Sequence, residues 1–166
     1  PASLSYQFSD LWSRSRVELF HAVAALLLWA GGMRVTISKT SAVKFIKARF
    51  PELAITCQNT VFSNLNSKKP VWWMSPYRAK FLNDLFLILN NNNLKLHVFF
   101  IPALGIRDPL TAFRQHNDEK VSIEISSTDP DFVDQHKKNI VFKKFLLHHV
   151  STATGFPPLG DTRSSK

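Results

Sequence analysis

The longest uncharged hydrophobic run of the chain, Ala22 to Met33, has 12 residues and follows Glu18 and His21. A helix that crosses a bilayer needs about 20 apolar residues, so we expect a buried core helix here and no membrane partner. No basic segment with a small-residue cleavage site precedes the run, so the sequence predicts no secretory signal. Because the chain begins at Pro1 and not at Met, we expect a processed protein or a piece of a longer one.

The length and the cysteine content narrow the class of protein further. A chain of 166 residues is the size of one ordinary domain, and it can bury roughly two thirds of its unfolded surface in a single core. The single cysteine, Cys57, has no partner for an internal disulfide, and a thiolate zinc site needs several ligands at fixed spacing. We therefore expect an ordered protein in a reducing intracellular compartment, cytoplasm or nucleus.

Hydrophobic periodicity predicts an α/β domain. The predicted helices are Val17 to Ala30, Ser41 to Phe50, Tyr77 to Leu89, a short piece from Asp108-Pro109 through Phe113, and a basic amphipathic helix from Phe132 to Val150. The predicted strands are Met33 to Ser38, Lys95 to Ile101 and Val121 to Ser126, with a turn at Asn66 to Pro70. Strands separated by helices favour parallel pairing.

Positive charge is concentrated in one part of the sequence. The formal net charge is +9, and residues 34–80 hold nine lysines and arginines against one acidic residue, Glu52. Aromatic side chains are interleaved with these cations, at Phe45, Phe50, Phe62, Trp72, Trp73 and Tyr77. Nucleic-acid surfaces have this composition, because cations neutralise phosphates while rings stack on bases. The alternative is a solvated basic face over a core that contains most of the rings.

The candidate binding residues follow from this pattern. They are Lys39, Lys44, Lys47, Arg49, Lys68, Lys69, Trp72, Trp73, Arg78 and Lys80. Neighbouring residues of an extended segment face opposite sides, so one of the two tryptophans is expected in the core and the other on the surface, as a platform for base stacking. The alternative is that both are buried, with the lysine stems covering them.

Three segments resemble the ribonuclease H domain of reverse-transcribing elements, especially DIRS-type retrotransposons and the hepadnavirus polymerase. The first runs from Trp12-Ser13 through Val17 to Leu26 and places Glu18 at the family's catalytic glutamate. The second is Val35 to Ile46, which resembles a strand and the helix after it. The third is Leu96 to Pro102 with Arg107 to Thr111, which places Asp108 at the family's later aspartate.

The resemblance implies a ribonuclease H-like mixed sheet flanked by helices, degenerate or without its first strands. Residues 1–115 would form this core, residues 116–150 would add a strand and the basic helix, and residues 151–166 would be a flexible tail. Family members bind two divalent metals through about four carboxylates. Only Glu18 and Asp108 match, because Ile37-Ser38 stands where the family has Thr-Asp, and Lys39 brings a fixed positive charge beside that position. We therefore expect no cofactor and no cleavage, with Mg²⁺ bound only if activity remains.

The function predicted in this way is that of a non-catalytic domain that holds the phosphate backbone of RNA, DNA or a hybrid, within a larger reverse-transcriptase-like polyprotein. A first alternative is a protein-interaction or scaffold module that docks an acidic partner on the basic helix from Phe132 to Val150. A second is a metal-dependent nuclease that uses Asp108, Glu124 and Asp129. The spacing of Asp129, Asp131 and Asp134 is more typical of a turn and helix cap, and the six histidines lack zinc-site spacing.

Overall fold

A computed structural model describes residues 36–91 and 95–151, which belong to one compact unit. The helices are α1 (Lys39–Arg49) and α2 (Pro109–Ala112), with 3-10 helices at Arg78–Leu82 and Phe142–Phe145. The strands are β1 (Thr60–Asn64), β2 (Val71–Met74), β3 (Leu85–Asn90), β4 (Lys95–Ile101), β5 (Arg114–Gln115), β6 (Val121–Ser126) and β7 (Leu146–Ser151). No helix within these two ranges is long and apolar enough to cross a membrane.

The strands form two sheets. The larger sheet has the order β1-β3-β4-β7, in which β1 and β3 are parallel while β4 runs antiparallel to both of its neighbours. The smaller sheet has the order β2-β6-β5 and is antiparallel. The α/β class with a mixed sheet is thus confirmed. The expected parallel pairing is wrong for β4, which pairs antiparallel with both β3 and β7; a short connection joins it to β3, as antiparallel neighbours allow.

The core lies between the two sheets. Leu85, Leu87 and Leu89 of β3 belong to one buried cluster with Trp72, Met74, Ile123 and Ile125 from the smaller sheet. Phe132 and Phe142 from the following segment are part of the same cluster. Each such side chain contributes about 1.5–3 kcal/mol when it is fully removed from water, so this cluster is a main source of stability.

Helix α1 packs its apolar side inward and leaves its cations outside. Ser38 caps the helix, since its hydroxyl accepts a hydrogen bond from the Ser41 N–H, and Pro51 follows Phe50 at the end. The buried residues are Ala42, Val43, Phe45 and Ile46. The ring of Phe50 stacks on His148 of β7 at 4.1 Å between centroids. The predicted helix is therefore confirmed and begins slightly earlier than expected.

The helix predicted from Tyr77 to Leu89 is wrong. The chain forms the 3-10 helix Arg78–Leu82 and then β3, in which all six residues are buried. A strand that is buried on both faces has a continuous apolar run, and periodicity alone cannot distinguish such a run from a buried helix.

The basic amphipathic helix predicted from Phe132 to Val150 is also wrong. Phe132 and Lys138 have positive φ angles of 54° and 57°, which interrupt any regular helix. The segment continues as a loop, the 3-10 helix Phe142–Phe145 and β7, which pairs with β4. Ser151, which was assigned to the tail, is the last residue of β7.

The remaining local predictions divide into three groups. The strands from Lys95 to Ile101 and from Val121 to Ser126, and the short helix after Asp108, are confirmed. The strand expected from Met33 to Ser38 does not form at residues 36–38. The helix predicted from Val17 to Ala30 and the tail after Ser151 lie outside the described residues.

Candidate nucleic-acid interface

The two neighbouring tryptophans of β2 point to opposite sides of the smaller sheet. Trp72 is 1% exposed, and its indole N–H donates a hydrogen bond to the Asn90 carbonyl at 2.8 Å. Trp73 is 50% exposed, and its indole N–H donates to the Ser122 hydroxyl at 3.1 Å. The expectation of one buried and one exposed ring is confirmed. Trp72, although predicted to bind nucleic acid, cannot stack on a base.

A second exposed ring lies on the loop that follows β2. Tyr77 is 47% exposed, and the Lys120 ammonium lies 4.4 Å from the centre of its ring. Trp73 has His116 as an edge-on neighbour at 6.2 Å between ring centroids. We refer to Trp73, Tyr77, His116 and Lys120 as the aromatic surface. Each of its two exposed rings has one polar neighbour, which is Lys120 for Tyr77 and His116 for Trp73.

His116 and Lys120 were missed in the sequence because they come from the β5–β6 turn, far from β2 in the chain. Asn117 shapes this turn, since its side-chain oxygen accepts hydrogen bonds from the Glu119 and Lys120 N–H groups. An isolated bridge between Tyr77 and Lys120 then joins the turn to the loop after β2. The sequence marks the β5–β6 turn itself, but it does not show which aromatic rings His116 and Lys120 contact.

Two of the predicted lysines meet at one loop. The Lys39 ammonium donates hydrogen bonds to the carbonyl oxygens of Cys57, at 2.7 Å, and of Thr60, at 3.3 Å. The Lys80 ammonium donates to the Gln58 carbonyl. We call Lys39 and Lys80 the lysine pair. Partial burial, and secondly the positive charge of Lys39, lower the pKa of Lys80.

The other predicted cations are more dispersed. Lys44, Lys47 and Arg49 are exposed on α1, and Arg78 is exposed beside Tyr77. Lys68 and Lys69 are exposed on the turn after β1, where both backbone N–H groups donate to the Asn66 side chain. The lysine pair contacts the loop at the start of β1, whereas Lys68 and Lys69 follow the end of β1. The length of this strand therefore separates the lysine pair from Lys68 and Lys69. The predicted set is therefore not one continuous patch.

Asp108, one of the two predicted catalytic carboxylates, caps helix α2. Its carboxylate accepts hydrogen bonds from the Leu110 N–H, at 3.1 Å, and from the Thr111 N–H and hydroxyl. These bonds, above all the one from the Thr111 hydroxyl, lower the pKa of Asp108. The other predicted carboxylate, Glu18, lies outside the described residues. Within 36–91 and 95–151 no three or more His, Cys, Asp or Glu side chains are grouped to hold a metal, so these residues alone do not fit two magnesium ions.

The acidic residues after β6 organise the chain around them. The buried Asp134 carboxylate accepts hydrogen bonds from the Glu124 N–H at 3.1 Å and the Lys137 N–H at 3.0 Å. Asp129 accepts a hydrogen bond from the Asp131 N–H, and Asp131 forms an ion pair with Lys143 at 2.7 Å. The predicted turn is therefore confirmed, whereas the predicted helix cap is wrong, because no helix begins in the described stretch 129–141.

Glu124 belongs to a different contact, because its carboxylate lies 3.7 Å from His136. Among the described residues, Asp108, Glu124 and Asp129 are not grouped as metal ligands. The geometry therefore gives no support to the nuclease alternative that was based on these three residues.

Comparison of the chain with protein-family models, with curated proteins and with solved structures found no match. The aromatic surface and the lysine pair are thus the features on which a functional argument can be based.

Proposed function

We propose that this protein is a non-catalytic nucleic-acid-binding domain that contacts the phosphate backbone and stacks bases on its exposed rings. The observation that carries the proposal is a pair of half-exposed rings, Trp73 on β2 and Tyr77 on the loop after it, with the Lys120 ammonium over the Tyr77 ring. Large rings are normally buried when the core can accept them, as it accepts Trp72. Two exposed rings, one of them with an adjoining lysine, are what a platform for unpaired bases requires.

The charge of the described residues supports the same function. The ion pairs within these residues are His136 with Glu124 and Lys143 with Asp131, so none involves a predicted binding lysine or arginine. Lys44, Lys47, Arg49, Lys68, Lys69 and Arg78 are all exposed. Cations without carboxylate partners can exchange their counterions for phosphates, and such contacts bind without reading sequence.

The relation to ribonuclease H domains is part of the proposal. In its favour are the mixed sheet and the order of β4, Pro102 and the capping Asp108. On this basis the domain belongs to a larger reverse-transcriptase-like polyprotein, has lost cleavage, and binds RNA, DNA or a hybrid. Incubation with an RNA–DNA hybrid and Mg²⁺ or Mn²⁺ should leave the hybrid intact. Metal-dependent cutting that disappears in Glu18→Gln would contradict the loss of catalysis.

Fluorescence anisotropy with a labelled oligonucleotide tests binding itself. We expect affinity at low salt that decreases linearly with salt on logarithmic axes, in proportion to the phosphates contacted. Exchanging Lys68 and Lys69 together for glutamate should weaken binding for every sequence alike. Absence of affinity at low salt, or unchanged affinity in the double variant, would contradict the proposal.

The protein-interaction alternative depended on the basic helix from Phe132 to Val150. This segment forms a loop, a 3-10 helix and β7, so it has no continuous helical face to offer an acidic partner. We therefore do not propose that function.

A further inference from the structure

Lys39 and Lys80, from different parts of the chain, direct their ammonium groups at one short loop. Lys39 belongs to the first turn of α1, and Lys80 belongs to the 3-10 helix before β3. Together they bind the carbonyl oxygens of Cys57, Gln58 and Thr60, three residues within a span of four. The loop thus holds two positive charges close together.

This loop also has hydrogen bonds of its own, beside those that it accepts from the two lysines. The Asn59 side chain accepts a hydrogen bond from the Thr56 N–H at 2.8 Å and donates one to the Ala54 carbonyl at 2.9 Å. The Thr60 hydroxyl donates to the Thr56 carbonyl at 2.6 Å. A loop that is held by internal hydrogen bonds and positions two cations has the features of a preorganised site, in which little order has to be gained on binding.

The positive charge of the pair is not neutralised by the described residues. Neither lysine forms an ion pair with a carboxylate within 36–91 and 95–151, and the first turn of α1 contains no acidic residue. An ammonium has three N–H donors. Lys39 uses two of them on the loop and Lys80 uses one, so donors remain on both groups for a further acceptor.

We infer that the lysine pair binds a phosphate group, specifically a backbone phosphodiester of the nucleic acid. A tetrahedral oxyanion can accept a hydrogen bond from each ammonium and remove the repulsion between them. The inference rests on the proposed function for the identity of the ligand, but the site itself does not require it. Burial is the main cause of the lowered pKa of Lys80, and the positive charge of Lys39 is the second cause.

The position of Lys80 connects this site with the aromatic surface. The Lys80 N–H donates a hydrogen bond to the Tyr77 carbonyl at 3.0 Å, across one turn of 3-10 helix. Three residues of such a helix rise about 6 Å. Tyr77 and Lys80 are therefore one 3-10 turn apart along the backbone.

The first experiment uses inorganic phosphate and the intact chain. The pKa of Lys80 is followed by NMR of its ε-carbon, with and without millimolar phosphate at constant ionic strength. We expect phosphate to raise this pKa, and we expect no such rise in Lys39→Gln, which removes half of the site. An unchanged pKa of Lys80 in the wild-type chain would overturn the inference.

The second experiment measures the salt dependence of oligonucleotide binding. Lys39→Gln and Lys80→Gln keep a hydrogen-bond donor for the loop, and each should reduce the slope of log affinity against log salt by about 1. Lys80→Arg should retain the wild-type slope. Lys144→Gln is the matched control, because it removes an equal charge from a lysine that packs on Phe145 instead.

The outcomes separate the inference from the proposed function. A phosphate-dependent rise in the Lys80 pKa without any oligonucleotide binding would support the phosphate site and contradict nucleic-acid binding. Oligonucleotide binding with an unchanged slope in both glutamine variants would retain the proposed function and overturn the inference, leaving the lysines as structural contacts of the loop.

Discussion

The Nδ1 atoms of His97 and His149 lie 2.7 Å apart on the neighbouring strands β4 and β7. A contact of this length needs one nitrogen that carries hydrogen and one that does not, so both rings cannot be protonated while it is kept. Trp72 and Phe132 enclose His97, with ring centroids at 5.5 Å and 5.1 Å. Burial first, then the charges of His149 and Lys95, lower the pKa of His97 to about 4.

This pair makes the stability dependent on pH. In the unfolded chain a histidine has a pKa near 6.5, so between that pH and about 4 the unfolded state binds more protons than the folded state. The free energy of unfolding should therefore decrease by ~2 kcal/mol as the pH falls through this window, and change little from this source above it. Urea denaturation across the range measures the effect.

The variants His97→Gln and His116→Gln assign the effect to the pair. His97→Gln should flatten most of the dependence, while some remains because burial and Lys95 also lower the pKa of His149. His116→Gln, on the surface, should retain the wild-type slope. Equal wild-type stability near neutral pH and at the acid end of the window would show that His97 is not held in its neutral form.

Truncation should separate the roles of the two tryptophans. Trp72→Ala removes a buried ring from the core and should reduce the free energy of unfolding by about 3–5 kcal/mol. Trp73→Ala removes a half-exposed ring and should cost about 1 kcal/mol or less. Chemical denaturation of both variants measures the difference. Similar losses at the two positions would mean that Trp73 is a core residue.

The buried Asp134 should be the acidic residue after β6 whose loss costs most. Asp134→Ala leaves the Glu124 and Lys137 N–H groups without their acceptor, and each such loss costs about 1–3 kcal/mol. Asp134→Asn keeps one acceptor oxygen and should lose less. Asp118→Ala, on an exposed turn, should stay within about 0.5 kcal/mol of the wild type. Denaturation curves in which Asp134→Ala matches Asp118→Ala would contradict this role.

Asp108 should behave as a helix cap and not as a metal ligand. Asp108→Asn preserves a good capping side chain and should change stability by no more than about 0.5 kcal/mol, whereas Asp108→Ala should cost about 1 kcal/mol. Thermal unfolding with and without Mg²⁺ distinguishes the roles. A magnesium-dependent rise in the melting temperature that Asp108→Asn abolishes would indicate a ligand.

The sequence predicted correctly those elements whose ends and buried positions are determined by neighbouring residues. The alternating residues of Val121 to Ser126, and Pro102 after Ile101, identified β6 and β4. They were insufficient for β3, which has no polar face, and for β7, which forms because β4 lies beside it. Asp134 shapes its loop through the backbone of Glu124, a contact that the sequence does not reveal.

The candidate site was predictable to the same degree. Alternation along β2 predicted that one tryptophan is exposed, since it depends only on strand geometry. The neighbours of Trp73 and Tyr77 come from the β5–β6 turn, and Lys39 meets Lys80 across some forty residues. Such contacts depend on tertiary structure. The sequence therefore provided a set of candidate residues but could not show which of them lie together at one site.

The most direct test of nucleic-acid binding compares Trp73→Ala with Leu104→Ala by anisotropy with a single-stranded oligonucleotide at fixed low salt. Leu104 is also a large exposed apolar residue, but it lies outside the aromatic surface. Stacking of one base contributes about 1–3 kcal/mol, so Trp73→Ala should weaken binding by roughly fivefold or more while Leu104→Ala leaves it unchanged. Equal affinities of the wild type and both variants would contradict the role of Trp73.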